Sequence, residues 1–374
     1  MRKSIAILTA LLAAGSLSSA YGQQMPSLPA GTQVTRGIVY AKRADGAALK
    51  LDSYVPTAGD GQAVPVLLRV GTKREAPTAL AVELLKKGYA LVYAGYLPDE
   101  VPNVQAFSRF PGDIHAAKAA VRWVRGTAVK SGFDPERIGV WAAGNGATVA
   151  ALLAMTPDQA ALNGTLGDYP RESSGIRALC LFGGTTDWRN AELYGDESVN
   201  IPGSPAYQLF GDNPKAVPDA ARQASAVNYV RPTSPAVLMV TLESDANRAM
   251  HLIFAETLRR AGVASALYEQ KSGVGLGGRS VDEEKLNQTL LQFLDETLAS
   301  KGPGPARMTV AEEITKLAAA GLYKQANRLI DEQLSVGGVD RGPWLKLLQT
   351  VKGKQQEPAI ARLKEAMKGR GAGS

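Results

Sequence analysis

One cysteine and two histidines are all that 374 residues contain, and the shortage excludes several chemistries at once. A lone Cys180 leaves no intramolecular disulfide to form, even in an oxidising compartment. It stands in the apolar run Ala178-Leu179-Cys180-Leu181-Phe182, so a buried strand thiol is expected. Zinc sites need clusters of Cys and His at short spacing, and none is present, so no metal is expected. No phosphate loop appears. The glycine-rich stretch 271–280 lacks the downstream acid and the strand-turn-helix setting of a dinucleotide fingerprint. No cofactor is expected. After the first twenty residues no apolar run reaches the ~18 residues of a membrane helix, so no membrane anchor is expected.

What is there begins with a leader. Met1-Arg2-Lys3, an apolar run over 5–14 and small residues ending Ser18-Ser19-Ala20-Tyr21-Gly22 read as a signal peptide over 1–22, too short and wrongly flanked for a spanning helix. Export to the periplasm or the exterior is the expectation. With 45% hydrophobic and 21% charged residues the remainder reads as globular. The net charge of +7 is uneven, because thirteen Lys or Arg face seven Asp or Glu after position 300. Helical spacing and interspersed acids make this a solvated helix face, and nucleic acid is not an expected partner.

Short runs that are apolar on both faces predict strands over 49–55, 65–70, 89–94, 138–142, 178–182, 236–241 and 265–269. Amphipathic patterns predict helices over 78–87, 111–126, 145–155, 247–262 and 281–298. Alternation of strand and helix predicts an α/β, doubly wound, mostly parallel sheet. The stretch 200–229, rich in Pro, Gly and Asn, reads as an irregular insertion above the strand ends. Lys301-Gly302-Pro303-Gly304-Pro305 marks a linker. Beyond it, helices over 309–334, 343–351 and 359–367 form a small C-terminal helical extension. Ala319-Ala320-Gly321-Leu322-Tyr323 with Ala326 and Ile330 resembles one tetratricopeptide unit. The expected division is 1–22 leader, 33–300 main domain and 306–370 extension.

Several stretches carry a family resemblance by their order and spacing. They are Leu49-Lys50-Leu51-Asp52-Ser53-Tyr54-Val55-Pro56, Phe110-Pro111 leading to Ala119-Ala120-Val121-Arg122-Trp123, Asp134-Pro135-Glu136-Arg137-Ile138-Gly139-Val140-Trp141, Gly183-Gly184-Thr185-Thr186-Asp187, and Ser204-Pro205-Ala206 leading to Phe210-Gly211. From about 35 to 300 the chain resembles the secreted carboxylesterases related to feruloyl and acetylxylan esterases, within the α/β-hydrolase superfamily. The resemblance implies an α/β-hydrolase fold with a Ser-His-Asp triad, and that triad is where this sequence departs from it.

The family's G-x-S-x-G elbow is matched by Ala142-Ala143-Gly144-Asn145-Gly146, and Ala150-Ala151-Leu152-Leu153-Ala154 fixes the register, so Gly144 stands at the serine's position. The glycine-rich oxyanion loop is matched by Gly71-Thr72-Lys73-Arg74, where bulkier side chains should reshape the approach of backbone donors. The histidine turn is matched by 273–278, with Leu276 at the histidine's position. Asp245 stands where the family keeps its acid. His115 and His251 lie on predicted helices and read as structural.

The expected function is therefore that of a secreted hydrolase-fold protein with no intact catalytic set, its vestigial positions being Gly144, Asp245 and Leu276. A small ligand, such as an acylated or acidic carbohydrate, is expected near Gly71, Thr72, Lys73, Arg74, Asn145 and Gly146. The alternatives are an esterase with a displaced nucleophile, at Thr148, Ser244 or Ser272 with His251 as base, and a scaffold that presents its C-terminal helices to a protein partner.

Overall fold

A computed structural model describes residues 27–57, 62–99, 109–192, 197–242, 245, 247–270, 281–299 and 308–335. The expected leader, Leu276 and its turn, Ser244, Ser272, the Gly-Pro linker and the expected helices over 343–351 and 359–367 lie outside these residues.

Eight strands make one sheet: β1 (Gln33–Lys42), β2 (Ala48–Val55), β3 (Val64–Gly71), β4 (Ala90–Gly95), β5 (Phe133–Ala143), β6 (Ala178–Phe182), β7 (Ala236–Leu242) and β8 (Ser265–Gln270). Their order is β1-β2-β4-β3-β5-β6-β7-β8, antiparallel from β1 through β2 to β4 and parallel from β4 onward. Every residue of β3 and β4 is buried, as the inner strands of a sheet covered on both faces must be. This is the expected α/β-hydrolase arrangement. β1 has no predicted counterpart, because its burial is almost wholly that of an exposed edge and no apolar alternation marks it.

The helices are α1 (Ala79–Lys86), α2 (Gly112–Gly126), α3 (Ala128–Ser131), α4 (Asn145–Met155), α5 (Ala160–Asn163), α6 (Pro205–Phe210), α7 (Pro218–Gln223), α8 (Arg248–Arg260), α9 (Val281–Leu294), α10 (Val310–Ala319) and α11 (Tyr323–Ser335). One face of the sheet packs on α2, α4 and α8, through residues such as Val121, Val149 and Phe254. The other packs on α1 and α9, through Leu84, Leu85, Leu290 and Leu294. The stretch read as an irregular insertion carries α6 and α7 with single-turn helices around them. No helix among the described residues is long and apolar enough to cross a membrane.

The described part of the C-terminal extension is a helical hairpin. α10 opens with a capping box in which Glu312 N–H donates to Thr309 Oγ1 at 3.3 Å, and Thr309 N–H donates to Glu312 Oε2 at 2.7 Å. Such a cap satisfies two end donors reciprocally. Ile314, Leu317, Leu329 and Ile330 join the same apolar cluster as α2, α4 and α8. Gln325 Nε2 donates to Val227 O at 3.2 Å and Arg328 Nε to Asn228 O at 2.9 Å. The hairpin thus shares the sheet domain's core.

Three cations on α2 tie down the connection between α4 and β6. Lys118 Nζ donates to Asn163 Oδ1 at 2.7 Å and to Thr156 O. Arg122 donates to Asn163 O at 2.8 Å and Leu166 O at 3.1 Å, and Arg125 to Gly175 O at 2.8 Å. The positions i, i+4 and i+7 share a helix face. Lys118 is fully buried, and burial with the adjacent Arg122 guanidinium pushes its ammonium down to about 7. An unfolded lysine titrates near 10.4, so between pH 7 and 10 folding releases a proton. Stability is therefore expected to rise with pH across that window, by at most about 1.4 kcal/mol per pH unit, and to flatten below it. Chemical denaturation at pH 7 to 10 should show this slope in wild type and lose it in Lys118→Met; identical slopes would refute the assignment.

Candidate active site

A tight turn at Gly144 joins β5 to α4. Gly144 has φ 54° and ψ −127°, a backbone conformation that costs a residue with a Cβ dearly and glycine little. Its N–H donates to Phe182 O at 3.0 Å, and Ala147 N–H donates to Gly144 O at 3.0 Å. A Cβ at Gly144 would meet no heavy atom within 4 Å, so the apex faces open space. Gly146 is the reverse case, since its Cβ would lie 2.6 Å from Val70 O and 3.3 Å from Gly71 Cα. Glycine there is what lets α4 approach β3. Gly184, at φ 90° after β6, meets α4 in the same way, 2.7 Å from Ala147 Cβ.

Beside the apex lies a cavity of only about 20 Å³, lined in part by Tyr96, Asp113, Asn145, Thr148, Trp188 and Leu209. That is space for a water-sized group. Asn145 Nδ2 donates to Gln208 Oε1 at 3.2 Å, so α6 holds the side chain that follows the apex. Tyr96 is buried beside Asp113, and burial first, then that carboxylate, pushes its phenol well above the ordinary range. The Trp188 indole N–H is buried and has no hydrogen-bond partner among the described residues.

The structure brings Gly71 and Gly146 together, folds the Lys73 backbone against Gly71, and pairs Arg74 with Asp52 and Asp99. Tyr96 N–H donates to Gly71 O at 2.9 Å and Leu97 N–H to Thr72 O at 3.1 Å, so the loop after β3 turns over the end of β4. Gly95 makes room for it, because a Cβ there would lie 3.2 Å from Arg74 N. Arg74 then forks onto Asp99, with Nη2 at 2.6 Å from Oδ2 and Nε at 3.2 Å from Oδ1, and also pairs with Asp52 of β2. The Arg74 guanidinium holds the Asp99 carboxyl below its usual range, and Asp99 in turn raises Arg74. These contacts surround a second pocket of about 290 Å³, lined by Arg36, Asp52, Lys73, Arg74, Glu75 and Asp99 among others. Sequence reasoning missed Arg36, Asp52, Glu75 and Asp99 as lining residues. The only local trace was a charged residue, Asp52, inside an apolar strand.

His251 is buried. Its Nε2 lies 2.7 Å from Gly184 O and its Nδ1 3.0 Å from Thr241 Oγ1. A carbonyl only accepts, so Nε2 carries the proton and Nδ1 accepts from the threonine hydroxyl. The ring is thus turned to the buried Thr241 hydroxyl and to the backbone of the turn after β6, not to Thr148. Thr148 Oγ1 accepts from Thr185 N at 2.8 Å, not from a histidine. Asp245 Oδ1 accepts from Asn247 N at 2.9 Å just ahead of α8, and its Oδ2 lies 3.8 Å from the Cβ position of Gly183. His115 Nε2 lies 3.1 Å from Ala161 O, a tie between α2 and α5. Cys180 is buried, and burial pushes its thiol up.

The same frame recurs in known proteins. Esterase LipQ of Mycobacterium tuberculosis is 25% identical over 226 residues, 58% of this chain and 50% of the relative, so the chain spans about half the length of that relative. A truncated carbohydrate esterase from gut microbiota superposes with a TM-score of 0.59 at 20% identity, over 72% of this chain and 99% of that one. Esterase 2 of Thermogutta terrifontis does so at 0.54 and 24%, over 75% and 96%. These likenesses are of fold. The BD-FAE family model matches residues 52–250, more than half of the chain and the whole stretch from β2 through the elbow to the start of α8, and the chain belongs to that esterase family of the α/β-hydrolase superfamily.

Proposed function

We propose that this chain is an exported member of its esterase family that binds a carbohydrate ligand without hydrolysing it. The observation that carries the reading is Gly144 at the apex of the β5–α4 turn, where the backbone keeps the strained elbow and no side chain is there to attack a carbonyl. Loss of the nucleophile or the base of a serine triad costs on the order of 10⁶ in turnover, and Leu276 stands at the histidine's position in the sequence. His251 is buried and turned to the equally buried Thr241 and to Gly184 O, away from Thr148. Carbohydrate as the ligand class is carried over from the gut-microbiota carbohydrate esterase, and export from the leader over 1–22.

The test is ester turnover by purified wild-type protein on short-chain chromogenic esters. Rates indistinguishable from buffer are expected. A rate that scales with protein concentration and vanishes in Thr148→Val or another single variant would instead establish an esterase with a displaced nucleophile.

A further inference from the structure

We propose that the α10–α11 hairpin braces the wall of the cavity beside the Gly144 apex, with Gln325 and Arg328 as positioning residues. The inference goes beyond the ligand reading and stands whether or not the chain turns over esters.

The grip begins at a short segment. Residues Ala226–Tyr229 form a single helical turn ahead of β7, and the carbonyls at a helix end have no partners within the helix. Here α11 supplies partners. Gln325 and Arg328 stand three positions apart, on one face of the helix, and they donate to the successive carbonyls of Val227 and Asn228 at 3.2 and 2.9 Å. The Arg328 guanidinium also lies 4.8 Å from the centre of the Tyr229 ring, within cation–π range. Further along, Glu313 of α10 accepts from Thr233 and lies 3.8 Å from Arg231. The two helices therefore hold residues 227–233 between them, α11 at the start and α10 at the end.

That segment in turn holds the turn after β6. Val227 N–H donates to Thr186 O at 3.1 Å, and Trp188 N–H donates to Ser225 Oγ at 3.0 Å. Thr185 N–H donates to Thr148 Oγ1 at 2.8 Å, which ties the same turn to α4. Trp188 and Thr148 both line the cavity beside the apex. Gln325, Ser225, Thr186 and Trp188 are all buried, so the bonds between these elements form away from water, where leaving one unmade is costly. The route from the hairpin to the cavity wall is short: α11 holds 226–229, and 225–227 holds 186–188. A hairpin that merely filled space in the core would lose stability when one of its polar bonds was removed, yet leave Trp188 where it is.

The experiment is ¹⁹F NMR of the full chain carrying 5-fluorotryptophan, with Trp188→Phe and Trp141→Phe assigning those two signals among the four tryptophans. Gln325→Leu, which removes the donor at similar size, and Arg328→Met are each expected to move the Trp188 signal by more than its linewidth. Trp141 belongs to the apolar cluster on the opposite face of the sheet, so its signal is expected to stay in place. Arg328→Lys, which keeps the charge and a donor, is expected to move Trp188 less than Arg328→Met does, and Lys316→Ala, on the exposed side of α10, not at all. If Gln325→Leu does not fold, the Arg328 pair carries the same test. A Trp188 signal that stays fixed in the folded variants, that moves only together with Trp141, or that moves as far in Lys316→Ala would overturn the brace.

Discussion

Gly144→Ser and Leu276→His introduced together are expected to raise hydrolysis of a short-chain chromogenic ester by about a hundredfold to a thousandfold over wild type, while Gly144→Ser alone stays at background. The asymmetry follows from how triads work. Removing the serine or the histidine alone costs about as much as removing the whole set, so one restored member returns almost nothing. Space is not the obstacle, since a Cβ at Gly144 meets no heavy atom within 4 Å. The backbone cost of a side chain at φ 54° is on the order of 1–3 kcal/mol, which a folded domain can bear. The gain should fall short of the ~10⁶ of a full triad, because the loop after β3 is turned toward β2 by Arg74. Equal activity of the single and double variants, or a folded double variant with no activity, would contradict the assignment of positions 144 and 276.

Gly146→Ala is expected to destabilise the protein by about 3 kcal/mol, at the upper end of overpacking penalties, and more than Gly144→Ala does. The two glycines differ in what constrains them. At Gly144 the constraint is backbone conformation alone, and the Cβ finds open space. At Gly146 the Cβ would press on Val70 O and Gly71 Cα, backbone atoms of a fully buried strand that cannot step aside. Urea denaturation of the two variants separates the cases. A smaller loss for Gly146→Ala than for Gly144→Ala would show that α4 does not sit against β3 as closely as described.

The sheet was legible where burial is symmetric. β3, β4 and β6 are covered on both faces, so their apolar runs announce them, and the elbow followed from the register of Ala150 to Ala154 against Gly144. β1 was not legible, because an exposed edge strand carries no apolar period. The direction of the loop after β3 was also hidden. Arg74, expected near a ligand together with Asn145 and Gly146, answers to Asp52 and Asp99, 22 and 25 residues away. Gly95 decides the path by leaving room over β4. No local pattern encodes a contact of that range. The helical stretch over 309–334 was legible through its period and its Thr309–Glu312 cap, but its docking through Gln325 and Arg328 depends on the carbonyls of Val227 and Asn228, which only the fold brings to it.

The central claim is that no activated nucleophile survives beside the β5–α4 turn. The most direct measurement is intact-mass spectrometry of wild-type protein after exposure to a fluorophosphonate, which adds covalently to activated serine or threonine, with the Gly144→Ser/Leu276→His variant as the positive control. Unmodified wild type alongside a singly labelled double variant is the predicted result; a stoichiometric adduct on any residue of the wild-type chain would contradict it.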